Sequence, residues 1–329
     1  MKRFDSLDDL PKDFPDRPVC LAIGVFDGLH LGHRALVDRA IESARERGAL
    51  SAVLTFKRHP LALLAPPYEP PRLIALERRR EILERQGLDL LIEIEFTKAF
   101  ARVKADEFAR DILAKRLKVV EVACGTTHRF GYRGEGDPAM LEALGRELGF
   151  AVWKAPTARL GSADVSSTAI RDSLLRGRVE EAREALARPY EWRGRVVEGD
   201  RRGRLLGFPT ANLEPIERLL TPGRGVYACR AEIPAAQGKR GEATQLWDAM
   251  INIGSRPTFD GSREVVEAHL LDFQGDLYGR EVWLRFLRRL RDERRFEGPE
   301  AIKAQLAEDA RQTRDALAAE DSRVEREGG

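Results

Sequence analysis

Gly24-Val25-Phe26-Asp27-Gly28-Leu29-His30-Leu31-Gly32-His33 is the stretch on which the reading of this chain turns. A short apolar run, Val19–Ile23, leads into it. Behind it Leu36, Val37, Ala40, Ile41 and Ala44 recur on one helical face over residues 35–47, before Gly48 closes the pattern. A buried strand is therefore predicted to enter a helix through a glycine-rich turn. Gly32 allows backbone to approach a ligand closely. The helix start offers unpaired N–H groups and the positive end of its dipole to a phosphate. His30 and His33, three residues apart, can turn both rings to one side of the first turn. Two imidazole donors there would stabilise charge growing on a phosphate leaving group without a covalent intermediate. The plainer alternative is a capped helix with two surface histidines, but the whole chain has only five histidines and this turn holds two of them.

Strand and helix signals alternate outward from this turn. Strands are predicted at 52–56, 88–94, 119–124 and 150–153, with helices at 78–86, 106–117 and 140–148. The alternation calls for a parallel sheet with helices on both faces, whose ligands gather at the carboxyl ends of the strands. Two short helices, 168–176 and 179–187, precede a change of character at Arg188-Pro189. Beyond it come β-like segments at 191–197, 225–231, 248–253, 264–273 and 281–290, punctuated by Gly and Pro, with 235–246 read as an exposed loop. That pattern predicts a small antiparallel barrel or sandwich. Pro299 opens a last helix with Ile302, Leu306, Ala310 and Leu317 on its docking face, and 322–329 forms a polar, frayed end.

The second half carries its own chemical segment, running from Gly194 through Gly199-Asp200-Arg201-Arg202-Gly203-Arg204-Leu205-Leu206-Gly207-Phe208-Pro209-Thr210-Ala211-Asn212-Leu213. Its glycines let backbone N–H groups curl around phosphate. Thr210 and Asn212 share a side if the chain is extended, and their hydroxyl and amide oxygens are hard donors suited to Mg²⁺. No GxxxxGK[ST] loop is present. Taken alone, the segment is equally well a barrel turn with incidental glycines.

Both segments resemble known families. HxGH in its strand–turn–helix setting resembles the nucleotidylyltransferases, and GVFDGLHLGH narrows this to the prokaryotic FAD synthetase module. Ser166-Ser167-Thr168-Ala169-Ile170-Arg171, at a predicted helix start, agrees with it. GDRRGRLLGFPTANL resembles the riboflavin kinase signature, and the similarity runs on through 225–227, 252–259, 267–279 and 286–293. Together the resemblances cover about residues 18–315 and point to the prokaryotic bifunctional riboflavin kinase/FAD synthetase family.

The resemblance implies a Rossmann-like adenylyltransferase domain at 1–187 and a riboflavin kinase β-barrel with a C-terminal helix at 188–329. Riboflavin would be phosphorylated to FMN, and FMN adenylylated to FAD, with ATP as co-substrate at both sites and Mg²⁺ as cofactor. It places His30 and His33 in catalysis and Gly24, Phe26, Asp27, Gly28, Ser167, Thr168 and Arg171 on the nucleotide. In the kinase it makes Glu267 the general base, Thr210 and Asn212 metal ligands, and Gly199, Gly203, Arg204, Gly207, Pro209 and Arg291 contacts to ATP or flavin. Two stretches depart from the family pattern. Thr55-Phe56-Lys57-Arg58-His59-Pro60 carries a basic residue before His-Pro, and Thr127-His128 stand where Asn or Asp followed by Phe is common before Arg129-Phe130-Gly131. A threonine cannot make all the hydrogen bonds of a carboxylate or amide.

Bulk properties set the remaining expectations. The chain has 329 residues, 43% hydrophobic and 33% charged, ample for two cores. A net charge of +2 provides no broad basic field, so no nucleic-acid partner is expected. Arg78-Arg79-Arg80 and Arg288-Arg289 are read as solvated faces. Cys20, Cys124 and Cys229 are too dispersed for a disulfide framework or zinc site. Without a signal peptide or a bilayer-spanning apolar run, the expected location is the cytoplasm. Two rival readings remain. One is a kinase with an impaired adenylyltransferase; the other is a non-catalytic flavin-binding protein, although storage would require neither Glu267 nor a metal pair.

Overall fold

The structure, a computed structural model, describes residues 1–11, 13–198, 207–234, 244–258, 261–294 and 296–328. It divides into two compact units, Met1–Ser167 and Thr168–Gly329.

The first unit is built on six parallel strands: β1 (Lys2–Phe4), β2 (Val19–Ile23), β3 (Leu50–Phe56), β4 (Leu90–Ile94), β5 (Val119–Gly125) and β6 (Ala151–Ala155), in the order β1-β4-β3-β2-β5-β6. All five residues of β2 are buried, as a strand covered on both faces must be. Val19, Leu21 and Ile23 pack on one face with Phe108, Leu113 and Leu141, while Ala22 on the other meets Leu36, Val37 and Leu83. The 3.6-residue apolar repeat of α1 (Leu31–Arg47) supplies the second face, and Gly48 ends the helix in the left-handed conformation, φ 62°. Between β3 and β4 lie α2 (Leu61–Leu64) and α3 (Leu76–Arg85). α4 (Ala105–Glu107) runs into a π-helical stretch, Phe108–Arg116, and α5 (Pro138–Leu148) starts at Asp137, whose carboxylate accepts the Met140 N–H. A hairpin of β7 (Arg159–Leu160) and β8 (Ala163–Asp164) leads to the end of the unit.

The second unit starts on α6 (Ser167–Leu175) and contains α7 (Val179–Leu186). Its centre is a closed antiparallel barrel: β9 (Tyr190–Val197), β10 (Ala211–Pro215), β11 (Gly225–Ile233), β12 (Gln245–Thr258), β13 (Gly261–Leu270) and β14 (Glu281–Arg291), ordered β10-β13-β12-β11-β14-β9. Closure removes unpaired strand edges. α8 (Pro299–Gly328) docks with Ala310 and Leu317 buried, and its helical path continues through the polar tail where the sequence suggested an end. Of the loop expected at 235–246, the last two residues belong to β12, and 235–243 lie outside the described residues. All three cysteines are buried and unbridged. Among the described residues no helix is long and apolar enough to cross a membrane.

One sequence expectation is overturned here. Arg79 is no part of a solvated face: it is 4% exposed and ion-paired to Glu93, itself 2% exposed. The charge run concealed this because the partner lies fourteen positions away, on another element.

Candidate active sites

In the first unit β2 sits between β3 and β5, where the strand order reverses, and a crevice opens beyond the carboxyl ends of such strands. The Gly24–His33 turn fills that position. It is a strained turn: Phe26, Gly28 and Leu29 have φ of 51°, 85° and 44°. The two non-glycines cost about 1–3 kcal/mol each in that conformation, which burial of both side chains offsets. Pins fix the turn from several sides. The Val25 carbonyl accepts hydrogen bonds from Thr55 Oγ1 (2.9 Å) and Arg79 Nη1 (3.2 Å). Asp27 Oδ1 accepts the Leu73 N–H (2.9 Å), and the Asp27 carbonyl accepts the Ser167 hydroxyl (3.0 Å).

The two histidines occupy the first turn of α1 together. His30 is its N-cap, its Nδ1 accepting the His33 N–H at 3.3 Å, so a neutral His30 carries its proton on Nε2. The rings stack 3.7 Å apart at 20°. A Cβ on Gly32 would stand 3.2 Å from the His30 ring, so here the glycine makes room for the histidine. His33 is held well below the usual imidazole pKa, first by burial, then by His30 and Arg79, and its Nδ1 is buried without a hydrogen-bond partner. His33 is therefore held as a neutral dipole at a helix N-terminus. Phe26 packs its ring against His33, centroids 5.2 Å apart, and is fully buried.

Beside the turn lies a cavity of about 1120 Å³, lined by Ile23, Gly24 and Val25 and by Phe56, Phe96, Phe100, Phe108, His128 and Phe130. This exceeds the volume typical of a single small-ligand pocket. The rings form a chain of contacts, Phe56–Phe96 at 5.2 Å and Phe100–Phe108 at 6.3 Å edge-on and Phe108–Phe130 at 5.7 Å tilted, which ends where His128 stacks on Phe130 at 6.0 Å. Burial pushes His128 down to about 4, and its Nε2 is buried without a partner. Thr127 lines the same cavity and is exposed. The basic stretch after β3 is paired off: Lys57 with Asp5, Arg58 with Glu69, while His59 Nδ1 caps α2 through the Leu61 N–H. Sequence reasoning missed Phe96, Phe100 and Phe108; the only available signal was the density of Phe between 96 and 108.

The Ser167-Thr168-Arg171 motif sits, as expected, on the first turns of α6. Thr168 and Arg171 belong to the second unit, with Thr168 exposed and Arg171 half-buried.

In the barrel, Asn212 on β10 lies directly opposite Glu267 on β13, so both side chains share one face. His269, two residues on, donates its Nδ1–H to the Pro209 carbonyl (2.8 Å) and so fixes the segment leading into Thr210. A cavity of about 500 Å³ is lined by Val196, Pro209, Thr210, Ala211, Ala268, Leu270 and residues 273–278. Gly207 needs its glycine, with φ 81°. Gly199, Gly203 and Arg204 lie outside the described residues. Arg291, for which the resemblance implied a flavin contact, gives its guanidinium to protein: Nε and Nη2 to Asp309 (3.0 and 2.7 Å) and Nη1 to the Asp292 carbonyl (2.9 Å).

Comparison with known proteins now decides the family. Residues 13–169 match the FAD synthetase family model and residues 186–317 the riboflavin kinase model. The chain is 38% identical over 295 residues to the bifunctional riboflavin kinase/FMN adenylyltransferase of Escherichia coli K12, covering 90% of this chain and 91% of that one. It belongs to this bifunctional family. The Pseudomonas fluorescens member is 37% identical, over 93% and 95% of the two chains, and the Bacillus subtilis member 33%, over 88% and 89%. A crystal structure from Streptococcus pneumoniae, described as a macrolide-efflux protein, superposes with a TM-score of 0.83 at 30% identity over 95% of this chain and 98% of that chain. As a member of the bifunctional family, the chain is a riboflavin kinase and FMN adenylyltransferase, with ATP as the nucleotide substrate.

Proposed function

We propose that the two half-reactions divide between residues 1–187 and 188–329, with the residues above in specific roles. In the barrel, Glu267 takes the proton of the ribityl 5′-hydroxyl of riboflavin. That oxygen bonds to the γ-phosphorus of ATP, the β–γ bridging bond breaks and ADP leaves. The placement of Asn212 across from Glu267 supports a shared site. Thr210 and Asn212 suit Mg²⁺ because their hydroxyl and amide oxygens are hard donors. When bound, Mg²⁺ shared with the ATP phosphates neutralises their charge. Gly207 and Pro209 shape the turn that meets ATP and flavin.

At the HxGH turn, a phosphate oxygen of FMN attacks the α-phosphorus of a second ATP and pyrophosphate leaves, giving FAD. His30 and His33 donate to the phosphates, Gly24 and Gly28 let backbone approach, and Ser167, Thr168 and Arg171 hold the polyphosphate. The isoalloxazine ring, flat and largely apolar, suits the cavity of aromatic edges. The observation that carries this reading is that the aromatic cavity is lined by Gly24 and Val25, the start of the turn that carries the stacked histidines, at the switch point of the sheet.

The test measures FMN and FAD separately in purified protein supplied with riboflavin, ATP and Mg²⁺. His33→Ala should depress FAD formation and spare FMN formation. Glu267→Gln should cut FMN formation by about 10²–10⁴-fold and spare FAD formation from added FMN. Loss of both activities in either folded variant would refute the division.

A further inference from the structure

We propose that Arg79 is a positioning residue for adenylyl transfer: its guanidinium ties the carboxyl ends of β2 and β3 together and so fixes the turn that presents His30 and His33. The inference rests on assigning that reaction to this turn.

Arg79 projects from α3 beneath the turn and is almost wholly buried. Its Nη1 donates to the Val25 carbonyl (3.2 Å), and its Nη2 to the Phe56 carbonyl (2.8 Å) and to Glu93 Oε1 (2.5 Å). One planar group thus ties four elements: α3, β4 and the ends of β2 and β3. A flexible ammonium could not span these acceptors with a fixed fork. Glu93 is held in turn by Arg80 Nε at 2.8 Å, so the anchor does not swing. The placement of Arg79 matters because of the strained backbone just beyond Val25. Phe26 and Leu29 stand in the left-handed region, which ordinary side chains rarely adopt, and such backbone persists only where its surroundings over-determine it. The doubly held Val25 carbonyl is that constraint on the strand side, and Asp27, bound to Leu73 and Ser167, is the constraint beyond it.

Stability alone does not account for the group. A buried ion pair is often replaceable by apolar side chains at no net loss, and Arg79 keeps an Nε buried without a partner. Geometry accounts for it: an apolar residue would fill the space but leave the Val25 and Phe56 carbonyls unheld by α3. Arg79 also lies close enough to His33 to oppose its protonation, so the cation belongs to the electrostatic surroundings of the pair.

The experiment compares Arg79→Gln with the unchanged chain, measuring kcat and KM for FMN in adenylylation and FMN production by the barrel in the same preparation. Expected are a fall of about 10–10²-fold in kcat, the range of a mispositioned reacting group, a KM for FMN within about threefold, and unchanged kinase turnover. NMR of the histidine Cε1–H signals adds a readout that a general loosening would not single out. The ring-current shifts of the stacked His30–His33 pair should collapse, while that of His128 on Phe130 stays. An unchanged kcat in folded Arg79→Gln, or a loss confined to KM, overturns the proposal. If Arg79→Gln does not fold, Arg79→Lys decides: the cation without the fork should still lower kcat, and full activity overturns the proposal. His33→Ala run alongside separates the two ideas, because retained FAD synthesis there would refute the site itself, whatever Arg79 does.

Discussion

Replacing His128 with Phe should make the first unit resist acid. His128 stacks on Phe130, lines the aromatic cavity and has its Nε2 buried without a partner. Burial lowers its pKa from 6.5 to about 4. The sign comes from proton binding. Between these values the unfolded chain takes up a proton that the folded chain refuses, so stability present above pH 6.5 is lost as pH falls toward 4. The full difference is worth about 3 kcal/mol, of which about 2 kcal/mol falls between about pH 7.5 and about pH 5. Phe keeps the stacked ring and removes both the titration and the unsatisfied nitrogen. The stability gap between His128→Phe and the unchanged chain should therefore widen by about 2 kcal/mol over that interval, because every other group titrates alike in both and cancels. A chain of two units need not unfold in one step, so the assay is amide hydrogen exchange read on β5, with barrel amides as the internal reference. The variant should still convert FMN to FAD. Equal acid sensitivity of β5 in the two proteins would refute the account of a neutral, buried imidazole.

Asp309→Ala should strip α8 from the barrel. The carboxylate is fully buried and binds both Arg291 and Gln305, so its loss leaves a charge uncompensated at a cost of about 3 kcal/mol; calorimetry should show a lower barrel transition, with FAD formation from added FMN unchanged. Gly131→Ala should cost at least about 2 kcal/mol, because φ there is 76° and the new Cβ would stand 2.6 Å from the Ala105 nitrogen. FAD synthesis should fall while FMN synthesis persists, and a normal rate would refute that rigid contact at the cavity wall. Chelation with EDTA should abolish both activities, and Mg²⁺ should restore them better than Ca²⁺, which prefers more ligands at longer distances; full turnover in excess chelator would rule out the metal assignment.

The sequence by itself determined the order of elements, both chemical segments and the family. These are local facts: an apolar run, a glycine-rich turn and a helical stripe each declare themselves within a dozen residues. His30 and His33 come together because they are one turn apart, and Asn212 was readable as a motif member although only the register of β10 on β13 sets it opposite Glu267. Short or irregular elements were not legible. β1 has three residues, too few for a period, and exists because β4 pairs with it. The stretch Phe108–Arg116 has an ordinary helical apolar pattern, and its wider π turn is a matter of backbone hydrogen bonding, as where the Leu117 N–H reaches the Ile112 carbonyl. Tertiary structure alone decided the rest. Arg79 looked like one of three solvated cations until the sheet placed Glu93 and two strand-end carbonyls around it. Arg291 was named from its motif alone, and only the docking of α8 shows Asp309 paired with it. The aromatic cavity draws rings from β3, from the segments between β4 and β5, and from the loop after β5. Spacing along the chain fixes which groups can share a turn. Only the packing of distant elements fixes which charges are buried, which are paired and which rings enclose a space.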